Sequence, residues 1–229
     1  MPYAFIESPH RTETNGRVIT VVVIHTMEIP ERDEAAALCA RWFQNPESEV
    51  SAHYCVDADT TIQCVREQDI AWHARGGNAN SVGIELAGFA GQRSLGWSDA
   101  YSRAVVERAA RLAAEVCGRY GIPTRRLRAS DLVAGKRGVT GHADVSAAFR
   151  KSDHWDPGPD FPWARFLRLA RGSDVVERAG EARRDLVELR QRDHERRRDL
   201  EAPADEGAGE HAVMTGSEGD AVGEPRIVR

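Results

Sequence analysis

From Val18 to Ile24 the chain is an almost unbroken β-branched run with no polar side to turn toward water. Such a run predicts a central strand buried on both faces. Further on, Ala35, Leu38, Cys39 and Trp42 recur at helical spacing, which predicts a helix over residues 32–44 ended by Asn45-Pro46. His53 to Val56 and Thr61 to Val65 read as the arms of a hairpin around Asp57-Ala58-Asp59-Thr60. Ser81 to Ala87 alternates, with Val82, Ile84 and Leu86 on one side and Gly83, Glu85 and Ala87 on the other. Ser98 is placed to cap a long helix whose apolar stripe is Tyr101, Val105, Ala109, Leu112 and Val116, with Gly121 as its stop. A short helix over 162–170 follows. Strands interleaved with helices predict an α/β fold: a central mixed β-sheet flanked by helices.

The pattern changes near residue 172. Between Arg171 and Glu201 nine Arg stand against nine Asp or Glu, several of them paired i,i+4, as in Asp174–Arg178, Glu188–Arg192 and Asp193–Arg197. Val175, Val176, Ala179, Ala182, Leu186 and Leu189 leave only a thin apolar stripe. The expected organisation is a folded domain over 1–172, a charged helix or linker over 173–202, and a Gly- and acid-rich disordered tail over 203–229.

The 229 residues suffice for one domain with a sizeable core plus an appendage, and the net charge of −5 argues against a nucleic-acid partner. No run approaches the roughly 20 apolar residues that cross a bilayer, so stable membrane insertion is not expected. The first residues, Met1-Pro2-Tyr3-Ala4-Phe5-Ile6-Glu7, lack the charged and apolar regions of a signal peptide, which predicts synthesis in the cytoplasm. Cys39, Cys55, Cys64 and Cys117 show no Cys-x-x-Cys spacing and read as scattered core residues. A symmetric hairpin turn would set Cys55 opposite Ile62, which argues against a Cys55–Cys64 disulfide.

Three side chains carry the candidate chemistry. His25 ends the Val-rich strand, where the chain leaves the core for a loop; His142 follows Gly141 at a strand-to-loop turn; Asp156 precedes Pro157-Gly158-Pro159. Two imidazoles and a carboxylate form the ligand set of a catalytic zinc with a fourth position open to water. Taken alone, each has a plainer reading, a structural histidine or an Asx-turn aspartate. Glu85 is the odd residue in an apolar strand, expensive to bury unless it is paired or working, and Gly83 leaves room beside it. A structural salt bridge or a general base both remain open for it. His53 falls within a strand and reads as structural, whereas His73, before Gly76-Gly77, is placed to line a groove.

The segments VVVIHT (21–26), VSAHYCVDADTTIQCV (50–65), AWHA (71–74), NSVGIELAG (80–88), TGHADV (140–145) and DPGPDFPW (156–163) stand in an order that resembles the zinc-dependent N-acetylmuramoyl-L-alanine amidases of the type 2 amidase and peptidoglycan-recognition-protein fold. The resemblance implies one zinc per chain held by His25, His142 and Asp156, with Glu85 as the catalytic carboxylate. His73 and Asn80 are the candidate substrate contacts. The reaction implied is hydrolysis of the amide between N-acetylmuramic acid and the L-alanine of the stem peptide in peptidoglycan or muropeptides. The thin apolar stripe of the charged segment favours a solvated helix over a coiled-coil dimer, so a monomer is expected. Many members carry a Lys two residues before the aspartate; His154 stands there, which makes it the candidate for steadying the oxyanion. Another branch places a Tyr where Ala52 stands, so the Glu85 branch fits better. Without a signal peptide, such an amidase would be a phage endolysin that reaches the wall after release in an infected host, or a cytoplasmic muropeptide-recycling enzyme; the Arg- and Ala-rich composition and the charged tail favour the endolysin. A non-catalytic muropeptide-recognition module of the same fold is the alternative; such modules are expected to lack a zinc ligand, and this chain keeps all three.

Overall fold

The structure is a computed structural model and describes residues 3–172. The charged helix and disordered tail expected beyond residue 172 lie outside the described residues. In chain order the elements are β1 (Ala4–Phe5), β2 (Arg11–Thr12), β3 (Val21–Thr26), α1 (Ala35–Trp42), β4 (Tyr54–Val56), β5 (Thr61–Gln63), β6 (Ile70–Ala71), β7 (Ser81–Leu86), α2 (Ala100–Tyr120), α3 (Ala129–Val133), β8 (Gly138–Gly141) and α4 (His142–Phe149). Residues 163–172 are helical as well. A six-stranded sheet runs in the order β1-β5-β4-β7-β3-β8, parallel throughout except for the β4–β5 hairpin. β2 and β6 form a separate antiparallel pair. This is the mixed, helix-flanked α/β sheet that the alternating pattern predicts. No helix among the described residues is long and apolar enough to cross a membrane.

β3 is buried at every position and sits between β7 and β8, which accounts for its continuous apolar run. It starts at Val21; Val18 lies ahead of the sheet and is exposed. On one face of the sheet Val22, Ile24, Val82, Ile84 and Leu86 pack with Val105, Val106, Ala109, Leu112 and Val116 of α2. On the other face α1 contributes Ala36, Cys39 and Ala40 against Cys55, Ile62 and Cys64. Val145 of α4 joins Val21 and Val23 farther along that face.

Several boundaries differ from the sequence expectation for identifiable reasons. The Ser98 hydroxyl donates to Ser94 O at 2.6 Å within a preceding turn, so the cap of α2 passes to Asp99, whose carboxylate accepts from Ser102 N at 2.8 Å. Gly121 ends that helix in the left-handed region. α1 starts at Ala35, after Glu34 in the left-handed region. Its N-terminal Ala36 N–H is taken by Asp57 Oδ2 at 2.9 Å, a cap supplied by the hairpin turn rather than by a local residue. Asp57 also accepts from Thr60 N at 2.7 Å, closing the turn that sets Cys55 opposite Ile62. The Cys55 and Cys64 sulfurs lie 3.7 Å apart as free thiols.

Candidate metal centre

His25 and Glu85 are register partners on β3 and β7, so their side chains leave the same face of the sheet side by side. That face is open between α1 and α4, where a cleft of about 320 Å³ has His25, Glu85, His142 and Asp156 at its base. Trp42, Val50, Trp72 and Trp155 form its walls.

His142 is the first residue of α4 rather than a loop residue, because the chain passes from β8 directly into the helix. Gly141 is required at that junction: a Cβ there would stand 2.7 Å from Pro157 Cδ and 3.2 Å from the Trp163 ring. The Ala143 N–H, one of the donors a helix leaves unpaired in its first turn, bonds to Asp156 O at 2.9 Å. The backbone that carries one candidate ligand thus anchors the backbone that carries another. Arg126 braces the same corner, with its guanidinium 3.7 Å over the Trp163 ring, 3.1 Å from Thr140 Oγ1 and paired with Asp144.

His25, His142 and Asp156 each bring one ligand atom into a group whose members lie within 4.8 Å of one another. All three are buried, at 2%, 4% and 7% exposure. His25 Nδ1 is 3.0 Å from Asp156 Oδ2, and His142 Nδ1 is 3.3 Å from Asp156 Oδ1. Tetrahedral zinc with bonds of about 2.0–2.2 Å places its ligand atoms roughly 3.3–3.6 Å apart, close to these separations. Protonation also suits a metal. Burial lowers the pKa of His25, and its contact with Asp156 only partly opposes this, so the ring is neutral. Burial alone would raise Asp156, but the His142 and His25 rings facing it prevail and hold the carboxyl below the usual range. Neutral imidazole and ionised carboxylate are the forms that bind a cation.

Glu85 lines the base of the cleft, with Oε2 buried and without a hydrogen-bond partner among the described residues. Burial, reinforced by Cys39, Asp156 and Glu28, raises its pKa well above the ordinary value. No described salt bridge involves it. His154 lies on the exposed side of the cluster, its ring stacked on His142 at 4.4 Å and 10°. Its Nδ1 is 3.7 Å from Asp156 Oδ1, beyond hydrogen-bond reach.

His73 lines the cleft, but its ring is buried and turned inward: Nδ1 is 3.0 Å from His25 Nε2 and Nε2 is 3.2 Å from Ser81 Oγ. Burial, with His25 and His53 beside it, lowers its pKa well below the ordinary value. Asn80 is exposed ahead of β7, at the end of the strand remote from Glu85, where its side-chain amide donates to Thr20 Oγ1 at 3.0 Å. His53 is fully buried, with Nδ1 accepting from Gly83 N at 3.0 Å. Asn78, which the sequence reading passed over, holds the His73 loop by accepting from His73 N at 3.2 Å and Ala74 N at 2.6 Å. An Asn after Gly76-Gly77 is turn chemistry that could have been recognised. Trp42 and Trp155, 52% and 54% exposed on the cleft walls, carried no comparable signal.

A family model described as N-acetylmuramoyl-L-alanine amidase matches residues 15–159 of the chain. N-acetylmuramoyl-L-alanine amidase A of Achromobacter lyticus is 34% identical over 168 residues, spanning 69% of this chain and 87% of that protein. In fold, the Staphylococcus aureus hydrolase AmiA, solved in complex with its ligand, is similar with a TM-score of 0.56 at 17% identity, covering 78% of this chain and 81% of that one. A mutant endolysin from Bacillus subtilis is similar with a TM-score of 0.53 at 18% identity, covering 74% and 99%.

Proposed function

Since the chain belongs to the N-acetylmuramoyl-L-alanine amidase family, we propose that it is a zinc-dependent peptidoglycan hydrolase that cleaves the amide between N-acetylmuramic acid and the L-alanine of the stem peptide. The observation that carries the zinc reading is the convergence of His25, His142 and Asp156, all buried, beside Glu85 at the base of an open cleft.

In this reading His25, His142 and Asp156 hold the zinc. When bound, it lowers the pKa of a water to about 7, polarises the amide carbonyl and draws the neighbouring Glu85 toward its ionised form. Glu85 accepts the proton of the attacking water and passes it to the departing L-alanine nitrogen. Its buried, unpartnered Oε2 is free to make that contact. In the same reading His154 donates to the carbonyl oxygen as negative charge collects there; its exposure and its stacking on His142 support this role. The tryptophan walls offer flat apolar faces to sugar and peptide on either side of the scissile bond.

The test is digestion of purified peptidoglycan with separate assays for new L-alanine amino termini and new reducing sugars. Amino termini are expected, together with about one zinc per chain in elemental analysis of the wild type and loss of both metal and cutting in His25→Ala and His142→Ala. New reducing ends would make the protein a glycosidase and sink the assignment. The muropeptide-recognition alternative predicts binding with neither product.

A further inference from the structure

We propose that His73 is a positioning residue that fixes the tautomer of His25, so that His25 presents a bare Nδ1 to the metal. This rests on the zinc reading above and adds a second layer to it.

The direction of each hydrogen bond follows from the far end of the chain of contacts. Ser81 Oγ lies 2.6 Å from Gly77 O and 3.2 Å from His73 Nε2. A hydroxyl has one hydrogen, and the carbonyl can only accept, so the hydroxyl donates to Gly77 O. Toward His73, Ser81 Oγ is therefore the acceptor, and His73 Nε2 carries the hydrogen. A neutral imidazole has one N–H, which leaves His73 Nδ1 as an acceptor. It faces His25 Nε2 at 3.0 Å, so the hydrogen of His25 sits on Nε2. In this tautomer His25 Nδ1 offers its lone pair toward Asp156 Oδ2 at 3.0 Å, whereas without a metal the carboxylate competes with His73 for the hydrogen. Two acceptors at that distance repel unless a cation lies between them, and the relay therefore readies this edge of the cluster for a metal.

The fold reserves space for the arrangement. Gly83 of β7 lies under the His73 ring, and a Cβ there would fall 2.5 Å from His73 Cγ and 2.6 Å from Nδ1. Asn78 fixes the ring's backbone from the other side. The support is also one-sided. Among the described residues His142 Nε2 has only Ser152 Oγ at 3.5 Å, at the limit of a hydrogen bond. His25 is thus the strongly held ligand and His142 the loosely held one. Protein groups that hold the outer nitrogen of a ligating histidine are commonly worth 10–100-fold in metal affinity.

The experiment measures zinc affinity of the full chain by chelator competition, the visible spectrum of the cobalt-substituted protein, and the melting temperature of the metal-free protein. His73→Phe keeps a flat aromatic ring against Gly83 and removes the acceptor. It is expected to melt near the wild type, bind zinc about 10–100-fold more weakly and shift the cobalt bands. His73→Asn can offer its carbonyl oxygen near the place of Nδ1 and should recover most of the affinity and the spectrum. Ser81→Ala removes only the last link and should weaken zinc binding by a smaller factor. Wild-type zinc affinity and an unchanged cobalt spectrum in His73→Phe would overturn the proposal, as would equal weakening in the Phe and Asn variants. Should His73→Phe not fold, wild-type zinc affinity in Ser81→Ala overturns it instead. His25→Ala separates the levels. If it too binds zinc like wild type, the metal-site reading itself fails. If it loses zinc while His73→Phe does not, only the role of His73 fails.

Discussion

On one face of the sheet Val22, Ile24, Val82, Ile84 and Leu86 meet the apolar side of α2. On the other face, the intervening positions of the same two strands present Val23, His25, Gly83 and Glu85. The first surface is closed by a helix of 21 residues whose buried positions match it. The second is only partly covered, by the eight-residue helices α1 and α4, and the gap between them is the cleft. One face removes apolar area from water and supplies stability; the other leaves ionisable groups sealed at the base of an open space, where their protonation is shifted. A two-residue alternation is enough to separate these tasks, because successive side chains of a strand point to opposite sides.

Substitutions on each face should therefore fail in different ways, and the largest effect is expected at Glu85. Glu85→Gln keeps the shape but cannot take a proton, and turnover should fall by about 10²–10⁴ while zinc content and melting temperature hold. Near wild-type cutting by this variant would remove Glu85 from the reaction. One residue earlier, on the opposite face, Ile84→Ala should cost about 2–5 kcal/mol of stability by leaving a cavity under α2. Its folded fraction should still bind zinc and cut normally; a specific loss of zinc affinity would show that the two faces are coupled. His154→Ala, measured as kcat beside zinc occupancy, should keep the metal and lose about 10² in rate. Loss of zinc instead would mean that the ring only steadies His142 and Asp156. The smallest effect belongs to the cap of the covering helix: Asp99→Ala should lower stability by about 1 kcal/mol in denaturant titration, with no change in activity per folded molecule.

The apolar face was largely legible in the sequence. The Val18–Ile24 run, the alternation of Val82, Ile84 and Leu86, and the stripe from Tyr101 to Val116 all encode it through local periodicity. The errors lay at the ends of elements, where single hydrogen bonds decide. Ser98 and Asp99 were both able to cap α2, and only the capture of the Ser98 hydroxyl by Ser94 O gave the role to Asp99. The start of α1 could not be read locally at all, since its capping carboxylate is Asp57 of the hairpin. On the cleft face, the residue types of a metal site and their family-like surroundings were visible, as was the isolated Glu85. Asn80 illustrates the limit: its residue type suits a substrate contact, but only the backbone shows that it stands at the end of β7 remote from Glu85, with its amide donating to Thr20 Oγ1.

By itself the chain determined which residues become strands and helices, which side of each strand is apolar, and which side chains have metal and proton chemistry to offer. These properties are local or compositional, and they are present before any distant contact forms. Only the tertiary structure decided what those side chains do to one another. His25 and Asp156 are separated by 131 positions, and His25 and His73 by 48, yet each pair meets at 3.0 Å. Which nitrogen of an imidazole carries the hydrogen depends on what faces each of the two. What faces them is set by the packing of β3, β7 and the His73 loop, and no periodicity along the chain encodes it.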